Sequence, residues 1–144
     1  MAPPEYDSIS LTGVLEAAVY VDDLDAAAAF YTGVLGLPEV LRLDGRHVFF
    51  RCGSTIVLAF LAAASRKPPP ATALPVPTHG ADGPGHICFS AEAPVLEGFV
   101  RRLTEEGIDI EADFNWPNGA RSVYVRDPAG NSVEIAEPRL WGAA

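Results

Sequence analysis

Along the chain, the spacing of hydrophobic residues changes repeatedly, and each change predicts a new secondary-structure element. Residues 15–21, LEAAVYV, form an apolar run of strand length. Residues 22–36 have helical spacing, with Asp22 or Asp23 as the N-cap and Gly36 as the C-terminal stop. Turn residues then separate three more predicted strands, at 37–43, 47–52 and 55–61.

The same order of elements, β-α-β-β-β, recurs in the second half of the chain. A predicted strand at 85–91 precedes a helix that Pro94 opens and Gly107 ends, and apolar residues lie on one face of that helix. Three further strands are predicted, at 108–114, 121–125 and 131–136. Internal duplication is therefore the main organisational signal in this sequence.

We predict an α+β fold in which two tandem βαβββ modules, at about 12–63 and 84–138, form a single domain over residues 1–144. The connector 64–83 is rich in proline and glycine and is longer than an ordinary loop. We expect it to be a linker between the modules, with a flap over a binding site as the alternative. His79, within the connector, is expected to be exposed.

Composition narrows the range of partners and compartments. The formal net charge of −9 makes nucleic acid and anionic membrane surfaces unfavourable partners, because both would be repelled. No apolar run reaches the length of a membrane span and the N-terminus does not resemble a signal peptide, so a cytoplasmic location is expected. Cys52 and Cys88 lie in strand-like runs and are expected to be buried free thiols.

Superposing the two halves brings chemically active residues to equivalent positions. Aligning the first strands makes Glu16 equivalent to His86, and aligning the glycines of the final turns makes Val57 equivalent to Glu134. Alternation along each strand places these four residues on corresponding inward faces of a curved sheet. One imidazole and two carboxylates then offer lone pairs to a divalent cation, while Val57 leaves coordination positions for water or substrate.

Three segments carry a resemblance to a known family: VDDLDAAAAFYTGVLGL (21–37), GPGHICF (83–89) and RDPAGNSVEI (126–135). Together they resemble the vicinal oxygen chelate superfamily, which includes glyoxalase I, bleomycin-resistance proteins, extradiol dioxygenases and fosfomycin-resistance thiol transferases. The resemblance implies a glyoxalase-like fold, a barrel-like cavity within curved, partly open sheets, and a homodimer. Whether the modules pair within one chain or between two chains stays open.

The resemblance also implies metal ligands at Glu16, His86 and Glu134, with Val57 at a fourth position where the family often has glutamate. Loss of that fourth ligand makes a glyoxalase I activity less favoured. Glu16 replaces a histidine that is frequent in the family, and an oxygen-rich site favours ions such as Mn²⁺ or Mg²⁺ over O₂-activating iron. The divalent ion, whether Mn, Ni, Zn, Fe or Mg, is not specified by the sequence.

Two further residues are candidates for catalysis. Tyr124 lies ten residues before Glu134, on the strand that precedes the final turn. A similarly placed tyrosine lines the metal cavity of the fosfomycin enzymes, so the resemblance makes Tyr124 a candidate to donate its hydroxyl proton to an oxyanion, with simple packing as the alternative. His47 begins a strand and is a candidate proton carrier, with a structural role as the alternative. Arg121 lies three residues before Tyr124, so strand alternation places it on the opposite face, and it is expected at the surface. Trp116 is expected either to line a pocket or to cap the core.

Two classes of function follow. In the first, the protein is a metal-dependent enzyme, a lyase, isomerase, transferase or dioxygenase, that chelates adjacent oxygens of a small substrate and stabilises an oxyanion or enolate. In the second, it is a non-catalytic protein that sequesters a small cationic or aromatic compound, as bleomycin-resistance proteins do. A fosfomycin-type thiol transferase is a further alternative. Glu16, His86 and Glu134 favour the enzyme.

Overall fold

The computed structural model describes residues 9–142, which form two four-stranded mixed sheets. The strands of the first module are β1 Glu16–Val21, β2 Glu39–Leu43, β3 His47–Cys52 and β4 Thr55–Leu61. Those of the second module are β5 His86–Ser90, β6 Ala112–Asn115, β7 Arg121–Arg126 and β8 Ser132–Ala136.

Both sheets have the same topology. Their strand orders are β1-β4-β3-β2 and β5-β8-β7-β6, and the first strand of each module runs parallel to its last while the other neighbours are antiparallel. Parallel pairing requires a crossover, and the helix after the first strand supplies it in each module. The predicted α+β fold of two βαβββ modules is confirmed, and the two sheets stay open.

The helices are α1 Leu24–Ala28, which continues as a π-helix over Ala29–Val34, α2 Ala62–Ser65, α3 Ala93–Glu105 and a 3₁₀ turn at Pro138–Trp141. None of the helices within residues 9–142 is long and apolar enough to span a membrane. Asp23, and not Asp22, caps α1 by accepting a hydrogen bond of 3.0 Å from the Ala26 backbone N–H.

The π-helical turn changes which side chains reach the core. Wider hydrogen-bond spacing, seen where the Leu35 N–H donates to the Phe30 carbonyl at 3.0 Å, rotates successive residues less than an α-helix does. The consecutive aromatics Phe30 and Tyr31 are therefore both buried, with their rings edge to face 5.0 Å apart.

One face of each sheet packs, with the helices, into a single shared core. Val19 and Val57 of the first sheet belong to the same buried cluster as Val133 and Ile135 of the second. The opposite face of each sheet, here called its outer face, is turned away from that core. The helical stripe of α3 contributes as predicted, because Leu96 and Leu103 are fully buried, each burial stabilising the fold by about 1.5–3 kcal/mol.

The sixth strand begins later than predicted, at Ala112 and not at residue 108. The Ile108 backbone N–H donates to the Leu103 carbonyl and so closes the end of α3, while Ile108 and Ile110 pack against the core. Their hydrophobicity reflects tertiary packing, which the strand-like pattern could not distinguish from sheet pairing.

The connector packs on the first module instead of passing freely between the modules. His79 donates its backbone N–H to the Ser65 carbonyl at 3.0 Å and accepts the Ser65 hydroxyl on its own carbonyl at 2.6 Å. Its ring shares a hydrogen bond of 2.7 Å with the Tyr20 hydroxyl. The expectation that His79 is exposed was wrong, since the residue is half-buried, and residues 76–79 cover part of a cavity as the flap alternative described.

A split candidate metal centre on the outer faces of the sheets

His86 and Glu134 meet on the outer face of the second sheet. β5 and β8 run parallel and place Glu134 beside Cys88, two residue pairs along from His86 and on the same face of the sheet. The His86 Nε2 atom lies 3.3 Å from Glu134 Oε1. Glu134 is buried, with 5% of its surface exposed, whereas the His86 side chain is half exposed. The pair is thus anchored in the sheet and open on one side.

The hydrogen bonds of His86 leave Nε2 ready to bind a cation. Its Nδ1 atom lies 3.1 Å from the Ser132 carbonyl oxygen and 3.1 Å from Ser132 Oγ. A carbonyl oxygen only accepts, so this contact needs a proton on Nδ1, and in the neutral ring the lone pair is then on Nε2. Such a backbone partner is the usual orienting contact of a metal-binding histidine.

The spacing of the two donor atoms also fits a metal. Ligand bonds of about 2.0–2.2 Å that meet at a tetrahedral or octahedral angle separate nitrogen and oxygen donors by roughly 3.0–3.4 Å. The observed 3.3 Å between His86 Nε2 and Glu134 Oε1 falls within that interval. These two residues therefore suit one edge of a coordination sphere.

Glu134 is held in place by a residue that sequence analysis missed. The Ser122 hydroxyl donates to Glu134 Oε2 at 2.6 Å, and the Trp116 indole N–H donates to Ser122 Oγ at 2.8 Å. The chain Trp116–Ser122–Glu134 orients the carboxylate so that Oε1 faces His86. Ser122 precedes Tyr124 by two residues, so strand alternation places both on the same face. This spacing is the one sequence feature that could have indicated Ser122.

Tyr124 lies directly opposite Glu134 in the β7–β8 pair. Its ring stacks on Phe114, with centroids 5.8 Å apart, and on His86, with centroids 6.2 Å apart. Partial desolvation, followed by the neighbouring Glu134 carboxylate, raises the pKa of Tyr124 above its ordinary value. The phenol therefore stays protonated at neutral pH and has a hydrogen to donate beside the His86–Glu134 pair.

The expectation that both cysteines are buried was wrong for Cys88, which is exposed, while Cys52 is half-buried. Cys88 follows His86 by two residues and so shares the outer face, away from the core. Desolvation and the adjacent Glu134 carboxylate raise the pKa of the Cys88 thiol to about 12. The thiol is protonated at neutral pH.

Glu16 lies on the outer face of the first sheet, apart from His86 and Glu134. It borders a cavity of about 500 Å³ whose other walls include His47, Phe49, Leu58, Phe60 and connector residues 76–79. Within residues 9–142, no three His, Cys, Asp or Glu side chains lie close enough together to hold a metal ion. One chain therefore carries two parts of the predicted ligand set on two different faces.

The predicted equivalence of Val57 with Glu134 was wrong by one residue. Strand pairing sets Ala17 beside Val57 and Ala18 beside Leu58, just as Cys88 is set beside Glu134. Leu58 thus occupies the outer-face position, and Val57 is buried in the core. The two final turns differ in length, since two residues join Cys52 to Thr55 whereas five join Arg126 to Ser132. Like valine, Leu58 offers no ligand atom.

His47 lies in the first-module cavity, as its strand parity predicted, but at the end away from Glu16. The β3–β4 pairing sets it beside Phe60, four residues along from the level of Glu16. Its ring stacks on Phe49 with centroids 4.2 Å apart. Desolvation, and then the positive charge of Arg46, lower the pKa of His47, so the ring is neutral at pH 7.

Arg121 does not lie on the outer face of the second sheet, in agreement with its opposite position in the strand alternation. Its guanidinium binds Asp113 at 2.7 Å and Glu97 of α3 at 2.5 Å. Trp116 is half-buried and belongs to the outer face of the second sheet through Ser122.

Comparison with known proteins agrees with this architecture. A chain described as lactoylglutathione lyase from Agrobacterium tumefaciens has 46% identical residues and superposes with a TM-score of 0.87, covering 92% of this chain and 98% of that one. The fosfomycin resistance protein FosX from Mesorhizobium loti, 20% identical, shares the fold with a TM-score of 0.63 over 92% of this chain and 97% of its own.

Sequence relatives support the same assignment. The metallothiol transferase FosB from Shouchella clausii (strain KSM-K16) is 27% identical over 128 residues, which cover 87% of this chain and 80% of the relative. The sequence model of one superfamily matches residues 13–135, most of the chain. The resemblance seen in the three segments is thereby confirmed: the chain belongs to the Glyoxalase/Bleomycin resistance protein/Dioxygenase superfamily.

Proposed function

We propose that the protein is a divalent-metal-dependent enzyme that acts on a small molecule with two adjacent oxygen atoms. The observation that carries the proposal is the His86–Glu134 pair, with Nε2 and Oε1 3.3 Å apart and the opposite ring nitrogen held by the Ser132 carbonyl. Two donor atoms that converge on an open side suit a shared divalent cation.

The active form is proposed to be a homodimer, in which Glu16 of the partner subunit completes each site. The outer faces of the two sheets point away from the common core, so they meet only between chains. Leu11, Val14 and Leu15, immediately before Glu16, are more than two-thirds exposed, and an exposed apolar stretch of this kind marks an interface. A twofold dimer contains two equivalent sites.

The proposed ligands balance the charge of a divalent ion and leave coordination positions for the substrate. Two carboxylates offset the charge of one divalent ion, and their oxygen donors with the imidazole nitrogen suit Mn²⁺, Ni²⁺, Zn²⁺, Fe²⁺ or Mg²⁺. When bound, the ion acts as a Lewis acid toward the substrate oxygens. Leu58 at the fourth position supplies no ligand, which leaves room for those oxygens.

The residues of the chain have separate tasks in this proposal. Tyr124 donates a hydrogen bond to the oxygen that gains negative charge, and its raised pKa keeps that hydrogen in place. Ser122 fixes the orientation of Glu134. Phe114, stacked on Tyr124, keeps water from one side of the phenol. His47 is proposed to contact the distal part of the substrate, because it lies at the far end of the cavity.

The relatives support two reaction classes. The chain with 46% identity bears the name of a lyase, which supports lyase or isomerase chemistry at the centre. The relative with 27% identity is named as a metallothiol transferase, which supports thiol transfer as a second candidate. Leu58 in place of a fourth ligand favours this second candidate, because the open three-ligand set resembles that of the fosfomycin enzymes.

Metal analysis tests the proposal. Protein purified without chelator or added metal should contain a stoichiometric transition metal or Mg²⁺, and removal of the ion should lower Tm until the ion is restored. Glu134→Gln should contain none, whereas the exposed helix variant Glu105→Gln should match the wild type. Absence of bound ion, with no gain in Tm on adding Mn²⁺, Ni²⁺, Zn²⁺, Fe²⁺ or Mg²⁺, would instead favour a protein that only sequesters its ligand.

A further inference from the structure

The first-module cavity has a second polar end, distant from Glu16. Strand pairing arranges its residues in levels: Glu16 at one level, Leu58 and Phe49 at the next, then Phe60 and His47. Successive levels are two residues apart, so the cavity extends roughly 13 Å from the level of Glu16 to that of His47. Beyond that last level lies Arg46, which also lines the cavity.

The middle of the cavity is apolar and aromatic. Phe49 and Phe60 pack edge to face with centroids 5.5 Å apart, and Leu58 pairs with Phe49, one level closer to Glu16 than Phe60. Val76, from the connector, adds a further apolar wall and is half exposed. These side chains offer flat surface and no hydrogen-bonding groups, which favours an aromatic ligand.

The far end is built from donors and a cation. Arg46 uses one N–H to donate to the Ala64 carbonyl at 3.2 Å, and a guanidinium has five N–H donors in all. None of the ion pairs found among residues 9–142 involves Arg46. Its charge is therefore not neutralised by a carboxylate of the described chain.

His79 is fixed at the same end by two independent anchors. Its main chain exchanges hydrogen bonds with Ser65, and its Nδ1 atom bonds the Tyr20 hydroxyl, so the ring cannot rotate away. The ring packs edge to face on Phe60 with centroids 4.5 Å apart. Such a double anchor for a connector residue is what a ligand-binding wall requires and a plain linker does not.

We infer that this cavity binds an elongated aromatic molecule whose anionic group, a carboxylate, sulfonate or phosphate, is held by Arg46 at the end formed with His79. Glu16 does not oppose such a ligand, because roughly 13 Å exceeds the Debye length of about 8 Å at physiological ionic strength. A cationic group at this end of the cavity would lie against the positive charge of Arg46.

The orientation of the ligand rests on the proposed function. In the proposed dimer, the end of the molecule near Glu16 would present the reacting oxygens to the metal. Recognition of the anionic group at Arg46 needs no metal. Binding to the cavity can thus be measured on chelator-treated protein, where the proposed function plays no part.

Two dyes with the same ring skeleton test the inference. The anionic probe is 8-anilinonaphthalene-1-sulfonate and the uncharged probe is N-phenyl-1-naphthylamine, each titrated by fluorescence into chelator-treated protein. Arg46→Gln should weaken binding of the sulfonate about tenfold, the effect of losing one charged hydrogen-bonding partner. Binding of the uncharged dye should not change, and Arg46→Lys should restore much of the affinity for the sulfonate.

Arg101→Gln is the charge-matched control, because Arg101 lies exposed on α3 and outside the cavity. It should leave the affinity for both dyes unchanged. Unchanged sulfonate affinity in Arg46→Gln would overturn the inference, and so would an equal loss for both dyes, which would mean that Arg46 only supports the cavity through Ala64.

Discussion

The Ser122 hydroxyl donates to one oxygen of the Glu134 carboxylate at 2.6 Å, while the other oxygen lies 3.3 Å from His86 Nε2. The two oxygens thus have different tasks. Oε2 accepts the Ser122 hydrogen bond, which fixes the direction of the carboxylate. Oε1 faces the open side of the site. A buried carboxylate with one oxygen already hydrogen-bonded can still coordinate a metal ion through its other oxygen, as a metal centre requires.

Removal of the Ser122 hydroxyl should therefore weaken metal binding without unfolding the protein. Ser122→Ala leaves Glu134 Oε2 and the Trp116 indole N–H without their shared partner. We expect the affinity for the bound metal to fall by about 10–100-fold, the usual effect of losing an orienting contact behind a ligand. Titration with a competing chelator measures that affinity.

Ser90→Ala is the matched control for this experiment. Ser90 is an exposed serine on β5, beside Ala136 and away from the carboxylate. Its variant should bind metal as the wild type does. Equal affinities in Ser122→Ala and Ser90→Ala would show that the orientation of Glu134 does not depend on the serine.

Glu134→Gln should abolish tight metal binding while the fold persists. The amide keeps the volume of the side chain and can still accept from Ser122, but it loses the charge that offsets a divalent ion. Equilibrium dialysis should detect no stoichiometric metal, and the circular dichroism spectrum should match that of the wild type. Retention of the metal by this variant would place the centre elsewhere.

The sequence was informative about this site where strand alternation alone decides the outcome. Alternation along the strands placed His86 and Glu134 on one face, and the structure agrees; Tyr124, suggested by the family resemblance, lies directly opposite Glu134. Parity failed for Val57, since aligning two turns of different length shifts the register by one residue and exchanges the faces. Ser122 gave no signal of its own, because a hydroxyl that orients a carboxylate looks like any other serine in a strand.

The fold was predictable for a related reason. Duplicated elements with clear periodicity fix element type, so the two βαβββ modules were recognised, including the helix that Pro94 opens. The π-helical turn at Ala29–Val34 and the anchoring of His79 depend on contacts between residues distant in sequence. The local spacing of hydrophobic residues cannot predict such contacts.

Tyr31 and Asp127 join the two modules, and their contact should contribute measurably to stability. The buried Tyr31 hydroxyl donates to Asp127 Oδ2 at 2.7 Å, and Asn131 Nδ2 donates to the same oxygen at 2.9 Å. Tyr31→Phe should lower the free energy of unfolding by about 1.5–3 kcal/mol, as is typical of a hydrogen bond to a charged group. Urea unfolding followed by tryptophan fluorescence measures the change.

Tyr20→Phe is a suitable comparison for Tyr31→Phe, because the Tyr20 hydroxyl is less buried and bonds only His79 among the described residues. Its effect on the free energy of unfolding should be smaller. If the two variants lose equal stability, the contact between the modules is no stronger than the partly buried Tyr20–His79 hydrogen bond.

The raised pKa of Cys88 should make this exposed thiol slow to alkylate. Thiolate is the reactive form, and shifting the pKa from 9.0 to about 12 lowers the thiolate fraction at pH 8. In chelator-treated protein, the rate of iodoacetamide modification at Cys88 should keep rising with pH beyond the ordinary range of a thiol. Peptide mass spectrometry separates Cys88 from Cys52.

Glu134→Gln should speed the alkylation of Cys88 at pH 8, because it removes the negative charge that helps to raise the thiol pKa. Cys52 provides an internal control, since burial alone raises its pKa and the substitution should not alter its rate. A Cys88 rate that stays the same in Glu134→Gln would mean that local desolvation of the thiol, and not the carboxylate, sets its reactivity.

Complementation between two defective chains decides whether the metal centre is shared. Glu16→Gln and Glu134→Gln should each bind metal poorly as homodimers. In a heterodimer of the two variants, a site built across the interface would combine the intact Glu16 of one chain with the intact His86 and Glu134 of the other. Purification through two different affinity tags should yield a heterodimer with about one ion, half the content of a twofold wild-type dimer. A centre confined to one chain could not recover, because every chain in the heterodimer carries a defect, and a metal-free heterodimer would therefore contradict the shared site.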